Sequence, residues 1–153
     1  MIQTDEYGPA WSAGLRRGSP DELATWLRFA NAAADEADRI ALAAFESELL
    51  IDQKADGSFV TQADRQIEQL IRERIADTYP SHGVVGEEYG REGMTAAERW
   101  YVDPIDGTHN FMRGVPLFGT LIAVERDGEI QAGVASAPAL GRRWFASRGS
   151  GTW

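Results

Sequence analysis

At Tyr79-Pro80 the spacing of apolar residues changes from that of a helix to that of a strand, and this switch narrows the folds open to the chain. Upstream, apolar positions recur at Leu23, Trp26, Leu27, Ala30, Ala34, Ala37, Ile40, Ala41, Ala44 and Phe45. They form one face of a helix that the pattern carries to about Leu50. Ser19-Pro20-Asp21-Glu22 opens it with a capping serine, proline at the first helical position and a glutamate three residues after the cap. Alanines dominate the face, so the helix must approach its neighbour closely. After a turn signal at Asp56-Gly57, a second helix starts near Thr61, where Thr61-x-x-Asp64 resembles a capping box. Its buried stripe is Ala63, Ile67, Leu70, Ile71 and Ile75, and it stops at Tyr79-Pro80 because the residue before proline disfavours helical backbone.

Downstream the period is two. Strands are expected at Gly83–Gly86, Trp100–Val102, Phe118–Glu125, Ile130–Ser136 and Arg143–Ser147. Asp127-Gly128 joins two of them as a hairpin turn whose central positions both need positive φ. Helices first and hairpin-linked strands afterwards predict an α+β fold, two N-terminal helices packed on an antiparallel sheet. Residues 1–18 lack periodicity and read as a flexible tail, leaving 19–153 as the folded part.

Charge and composition exclude several functions. Fifteen Lys+Arg against 24 Asp+Glu leave a net charge of −9, which argues against nucleic acid and against an anionic membrane surface. With no cysteine, disulfides, thiolate metal sites and a cysteine nucleophile are ruled out. No apolar run approaches the roughly 18 residues of a membrane span. The first twenty residues lack the basic start and apolar core of a signal peptide, so a cytoplasmic protein is expected.

Three stretches carry chemistry: Asp64 at a helix start, Gly86-Glu87-Glu88 after a short strand, and Asp103-Pro104-Ile105-Asp106-Gly107-Thr108. Taken singly, each has an ordinary explanation. Asp64 serves as a cap, Gly86-Glu87-Glu88 as a solvated loop and Asp103–Gly107 as an Asx-type turn. By the same measure His109 is a surface histidine and the tryptophans belong to core or interface. The joint occurrence of the three, in order, changes that reading. Trp100-Tyr101-Val102 delivers two carboxylates three residues apart, and Gly107 allows backbone amides near Thr108 to approach a ligand. A helix beginning near Thr108 would favour an anion such as phosphate at its first turn. Two unit charges about 4 Å apart repel by ~4 kcal/mol at an effective dielectric of 20, so Glu87, Asp103 and Asp106 in one pocket need protons or a cation. Mg²⁺ suits an all-oxygen donor set, whereas His82 and His109 are not at zinc-motif spacing.

At Val60-Thr61-Gln62-Ala63-Asp64, Gly86-Glu87-Glu88 and Asp103 through Phe111 the sequence resembles the inositol monophosphatase superfamily of Mg²⁺-dependent, lithium-sensitive phosphatases. Gly86-Glu87-Glu88-Tyr89-Gly90 and Ser136 through Ala146 are most similar to its histidinol-phosphatase branch. The resemblance implies the N-terminal part of an αβαβα sandwich. It further implies that Glu87 ligates a first Mg²⁺ and orients the attacking water, and that Asp103 bridges two metals. The Ile105 carbonyl would complete the first site and Asp106 would hold the second metal. Thr108, hydrogen-bonded to Asp64, would activate the water while the Gly107 and Thr108 amides hold phosphate; the role of Lys54 is left open. The substrate implied is a small phosphorylated metabolite, histidinol phosphate first, inositol 1-phosphate or a broader range of sugar phosphates second, and a homodimer is open for a longer form.

Members of that family are longer, and the resemblance covers roughly the N-terminal three-fifths of one. A truncated chain is therefore expected to bind Mg²⁺ weakly, to turn over slowly and to expose an unpaired sheet edge or apolar face liable to associate. An inactive remnant that serves only as a binding module is the competing expectation.

Overall fold

The computed structural model describes residues 16–45, 47, 49–55, 57 and 59–153. Helix α1 spans Pro20–Phe45, shorter at its end than the apolar pattern suggested. Ser19 and Glu22 exchange cap bonds at its start: the Ser19 amide donates to the Glu22 carboxylate at 2.8 Å, and the Glu22 amide to the Ser19 hydroxyl at 3.3 Å. A short hairpin of β1 (Ile51–Gln53) and β2 (Phe59–Thr61) follows; three-residue strands lie below what period-two alternation reveals. Asp56 of the expected turn lies outside the described residues, while Gly57 adopts φ +87°. Helix α2, Gln62–Thr78, starts on the full capping box of Thr61 and Asp64, with Tyr79 as its C-cap.

Seven strands build the main sheet: β3 (Gly83–Gly86), β4 (Arg91–Glu92), β5 (Glu98–Asp106), β6 (Gly119–Arg126), β7 (Glu129–Ala137), β8 (Arg142–Ser147) and β9 (Gly151–Thr152). Their order is β4-β3-β5-β6-β7-β8-β9. The expected hairpin at Asp127-Gly128 forms, with φ of +53° and +84°. One pairing departs from the antiparallel expectation: β3 runs parallel to β5, Gly83 opposite Arg99 and Gly86 opposite Val102. A strand that reaches its neighbour through a connection including the two-residue β4, rather than a tight hairpin, is free to run parallel, and hydrophobic period alone does not encode that direction. The short helix α3, Thr108–Met112, follows β5.

Both long helices pack on one face of the sheet. From α1 come Leu23, Trp26, Ala30, Ala34, Ala37 and Ala41; from α2 Ile67, Ile71 and Ile75; from the sheet Trp100, Val102, Ile122, Val124 and Val134. Alternate residues face the other way. Val85, Tyr101, Ala123, Gly133 and Ala146 pair across successive strands in one row, and Asp103, Leu121, Ala135 and Trp144 in the next. In that second row Leu121 is 39% and Trp144 49% exposed, so the expected apolar face is present. Of the tail expected up to Gly18, residues 1–15 lie outside the described ones. Arg16–Gly18 are tied down instead: Arg16 pairs with Asp127, Arg17 donates to the Arg148 carbonyl, and the Gly18 amide donates to Gln131 Oε1 at 3.1 Å. Among the described residues no helix is long and apolar enough to cross a membrane.

Two outcomes follow. Ala34 and Ala37 are fully shielded, so Ala37→Leu should cost about 1–3 kcal/mol through overpacking, read as a lower urea midpoint; an unchanged midpoint would show a loose helix–sheet contact. At the other end of α1, Arg126 joins Glu22 and Glu98 and lies 4.6 Å from the Trp26 ring centroid. The Arg126 guanidinium, with the Ser19 amide, draws the Glu22 carboxyl down to about 2 from 4.5. A depressed carboxyl stabilises the fold above its unfolded value and loses that support as pH falls through its folded value. The stability gap between wild type and Glu22→Gln should thus be constant above about pH 4.5 and close toward pH 2, which urea titrations across that window measure.

Candidate active site

Parallel pairing is what assembles the acidic residues. Because β3 and β5 point the same way, Gly86 opposite Val102 places the next residues, Glu87 and Asp103, side by side at one end of the sheet. An irregularity in the β5–β6 ladder then inserts an extra residue between Asp103, opposite Leu121, and Asp106, opposite Gly119. This bulge presents Asp103 and Asp106 from a single strand end. The Thr120 hydroxyl donates to the Pro104 carbonyl at 2.8 Å and holds it in place. Asp64, buried at the start of α2, reaches the same region and feels the Glu87 charge.

The electrostatics record the crowding. Asp103 is pushed up to about 7, first by burial, then by the Glu87 charge and a hydrogen bond shared with Glu87, then by Asp106 and Asp64. Burial also raises Asp64, against the bonds it accepts from the Thr61 amide and hydroxyl, and Glu87 adds to the rise. Glu88 is raised by burial as well, with Lys54 opposing and Asp64 and Glu87 reinforcing. Lys54 places Nζ 3.3 Å from Glu87 Oε1 and 2.7 Å from Glu88 Oε1. Burial works against the Lys54 charge, yet the two glutamates hold its pKa above the ordinary value.

Asp103 Oδ1 is shut off from water and has no hydrogen-bond partner, a costly state for a carboxylate unless a cation or a proton meets it. Among the described residues no three acidic or imidazole side chains are drawn together closely enough to encage an ion. The orphaned Asp103 oxygen within the acidic group is the feature that fits a hard cation.

Gly107 caps α3 at φ +85°, and a Cβ there would lie 2.9 Å from the Leu117 carbonyl, so the turn admits only glycine. In the first turn of α3 the Asn110 and Phe111 amides donate to the Gly107 carbonyl at 2.8 and 3.1 Å, so that turn's anion-facing capacity rests on the amides before them. Thr108 departs from the expected arrangement. Its hydroxyl donates to the Ile105 carbonyl at 3.0 Å rather than to Asp64, whose Oδ2 is taken by Thr61. Thr61 is three residues from Asp64 on the same cap and therefore competes locally for the carboxylate. His109 is exposed, edge-on to Phe59 with centroids 5.2 Å apart, as a surface histidine should be.

Neither Glu68 nor a role for Lys54 stands out in the sequence motifs. Glu68 is wholly buried and accepts the Glu88 and Tyr89 amides, at 2.6 and 3.0 Å. Its signal was present in Asp64-x-x-x-Glu68-x-x-x-Arg72, a spacing that aligns all three along one helix face.

Asp103→Asn removes the charge on which Glu87, Asp106 and Asp64 all act. It should raise the stability of metal-free protein at neutral pH by on the order of 1 kcal/mol. Added Mg²⁺ should narrow the gap by stabilising wild type alone, as thermal melts with and without the ion will show. Equal responses of both proteins to Mg²⁺ would remove Asp103 from cation binding.

A model of the inositol monophosphatase family matches residues 22–153. The chain is 47% identical over 128 residues to a histidinol-phosphatase of Mycobacterium tuberculosis, covering 83% of this chain and 49% of that protein. It is 42% identical over 106 residues to an inositol-1-monophosphatase of Mesorhizobium japonicum, covering 69% of this chain and 40% of that protein. Among solved structures, the extragenic suppressor protein suhB from Bartonella henselae superposes with a TM-score of 0.80 at 33% identity, over 84% of this chain and 51% of that one. The chain thus spans about half the length of the relatives it matches, less than the three-fifths expected from the motifs. On the match over residues 22–153 and on these likenesses, the chain belongs to the inositol monophosphatase family.

Proposed function

We propose that this chain carries the metal- and phosphate-handling portion of a Mg²⁺-dependent phosphate monoester hydrolase whose substrate is histidinol phosphate. The observation that carries the reading is the orphaned Asp103 Oδ1 within a group of carboxylates that charge one another. Glu87, Asp103 and the Ile105 carbonyl would hold one Mg²⁺, and Asp103 with Asp106 a second. Bound there, the ions would activate the attacking water and neutralise charge on the attacking and leaving oxygens. The chain's own groups do the rest. Gly107 and Thr108 would offer amides to the phosphate from a turn whose φ and contact with the Leu117 carbonyl require glycine. Thr108 would help activate the attacking water once its hydroxyl, donated here to the Ile105 carbonyl, turns toward that water. Asp64 keeps its carboxylate fixed through Thr61 and extends the negative field behind Glu87.

Histidinol phosphate is favoured over inositol 1-phosphate because the likeness to the M. tuberculosis histidinol-phosphatase runs over 83% of this chain, against 69% for the M. japonicum inositol-1-monophosphatase. A small anionic metabolite also fits an amide cradle better than a nucleic acid does. With Mg²⁺ present, the chain should release phosphate from histidinol phosphate faster than from inositol 1-phosphate, slowly in both cases, and Asp103→Asn should abolish release. Hydrolysis that persists in EDTA, or that survives Asp103→Asn, would overturn the metal-dependent mechanism.

A further inference from the structure

Glu68 lies on α2 beneath the turn that carries Glu87 and Glu88, and it is fully buried. Both of its oxygens are engaged. Oε2 accepts the Glu88 amide at 2.6 Å, while Oε1 accepts the Tyr89 amide at 3.0 Å and Arg72 Nε at 2.8 Å. The same Arg72 donates to the Gly90 carbonyl, and the Gly86 amide donates to that carbonyl at 2.8 Å. A charged pair on the helix therefore grips the turn from both its amide and its carbonyl side. At Gly86 a Cβ would sit 1.9 Å from Glu68 Oε1, so this glycine is required by the approach of the carboxylate and not by its own backbone angle.

We propose that Glu68 is a positioning residue that holds the Glu87 carboxylate beside Asp103 by clamping the backbone immediately after it. The inference rests on the proposed metal site for its purpose, and on hydrogen bonds and burial for its existence. Two amide bonds to a buried carboxylate are charge-assisted and short, and they leave the Gly86–Gly90 turn little freedom. Without them, Glu87, whose side chain is 45% exposed, keeps its ion pair with Lys54 but loses the fixed backbone that aims it. Groups that orient a ligand in this way are worth roughly 10–100-fold in metal affinity.

Glu68→Gln keeps the shape but turns one acceptor into an amide donor that faces the Glu88 or Tyr89 N–H. Gly86→Ala reaches the clamp from the opposite side by displacing the carboxylate. In metal-free protein, hydrogen exchange at the Glu88 and Tyr89 amides should quicken at least tenfold in both variants, with the α2 and β5 amides unchanged. Mn²⁺, followed by its electron paramagnetic resonance signal, should bind both variants roughly tenfold more weakly than wild type. Faster exchange spread over all of α2 would mean a merely structural role, and unchanged Mn²⁺ affinity in Glu68→Gln would equally overturn the proposal. Failure of wild type itself to take up Mn²⁺ would sink the metal-dependent reading. The clamp would then stand or fall on exchange alone: protected Glu88 and Tyr89 amides in wild type, released in the variants, sustain it, and unprotected ones end it.

Discussion

The parallel pairing of β3 with β5 is the constraint on which the site depends. An antiparallel β3 in the same place would carry Gly86 and Glu87 to the far end of β5, a strand's length away from Asp103. Run in parallel, the two strands bring Glu87 and Asp103 together, and the Glu87 charge adds to the burial that lifts Asp103 to about 7. The bulge in β5 adds Asp106, and the cap of α2 adds Asp64. Three separate stretches thus converge because one strand pair runs against the trend of its sheet.

Convergence of like charges opposes folding, and the packing around the site offsets it. The alanine face of α1 lets the helix lie close on the sheet, with Trp26, Trp100 and Val134 filling the space beyond. Arg143 ties this layer together, bonding to Asp35, Asp38 and the Asn31 carbonyl across from β8. Within the acidic group itself, Lys54 supplies a positive charge to Glu87 and Glu88 from the segment between β1 and β2. A single ammonium cannot neutralise Asp64, Glu87, Glu88, Asp103 and Asp106 together, which leaves the group electrostatically receptive to a multivalent cation.

How much of this was legible in the sequence depended on whether the signal was local. The capping box at Thr61 and Asp64, the Asp127-Gly128 turn and the alternation in β6 and β7 are written within a few residues of each position, and all three were read correctly. The direction of β3 was not legible, because period two is the same for either direction and the choice is made by the intervening chain. Thr108 was assigned to Asp64 through resemblance, whereas the Ile105 carbonyl three residues away wins the hydroxyl. Glu68 was hidden for a different reason. A glutamate in a helix is ordinarily a solvated face residue, and only the fold shows that loop amides arrive to satisfy it.

Asp64 and Glu68 together explain why this acidic end can be rigid without a core of its own. They lie four residues apart on α2 and are both buried: Asp64 Oδ2 is held by its own helix cap, and both oxygens of Glu68 by the Glu88 and Tyr89 amides and Arg72. Asp103 is the opposite case, half-buried with its shielded Oδ1 unmet. Carboxylates held by fixed donors serve to set geometry, whereas a shielded oxygen without a donor, set among other acids, is where a cation would be favoured. The division of labour is visible in the helix itself, since Glu68 on α2 fixes the turn that carries Glu87 and so gives Asp103 on β5 a defined neighbour.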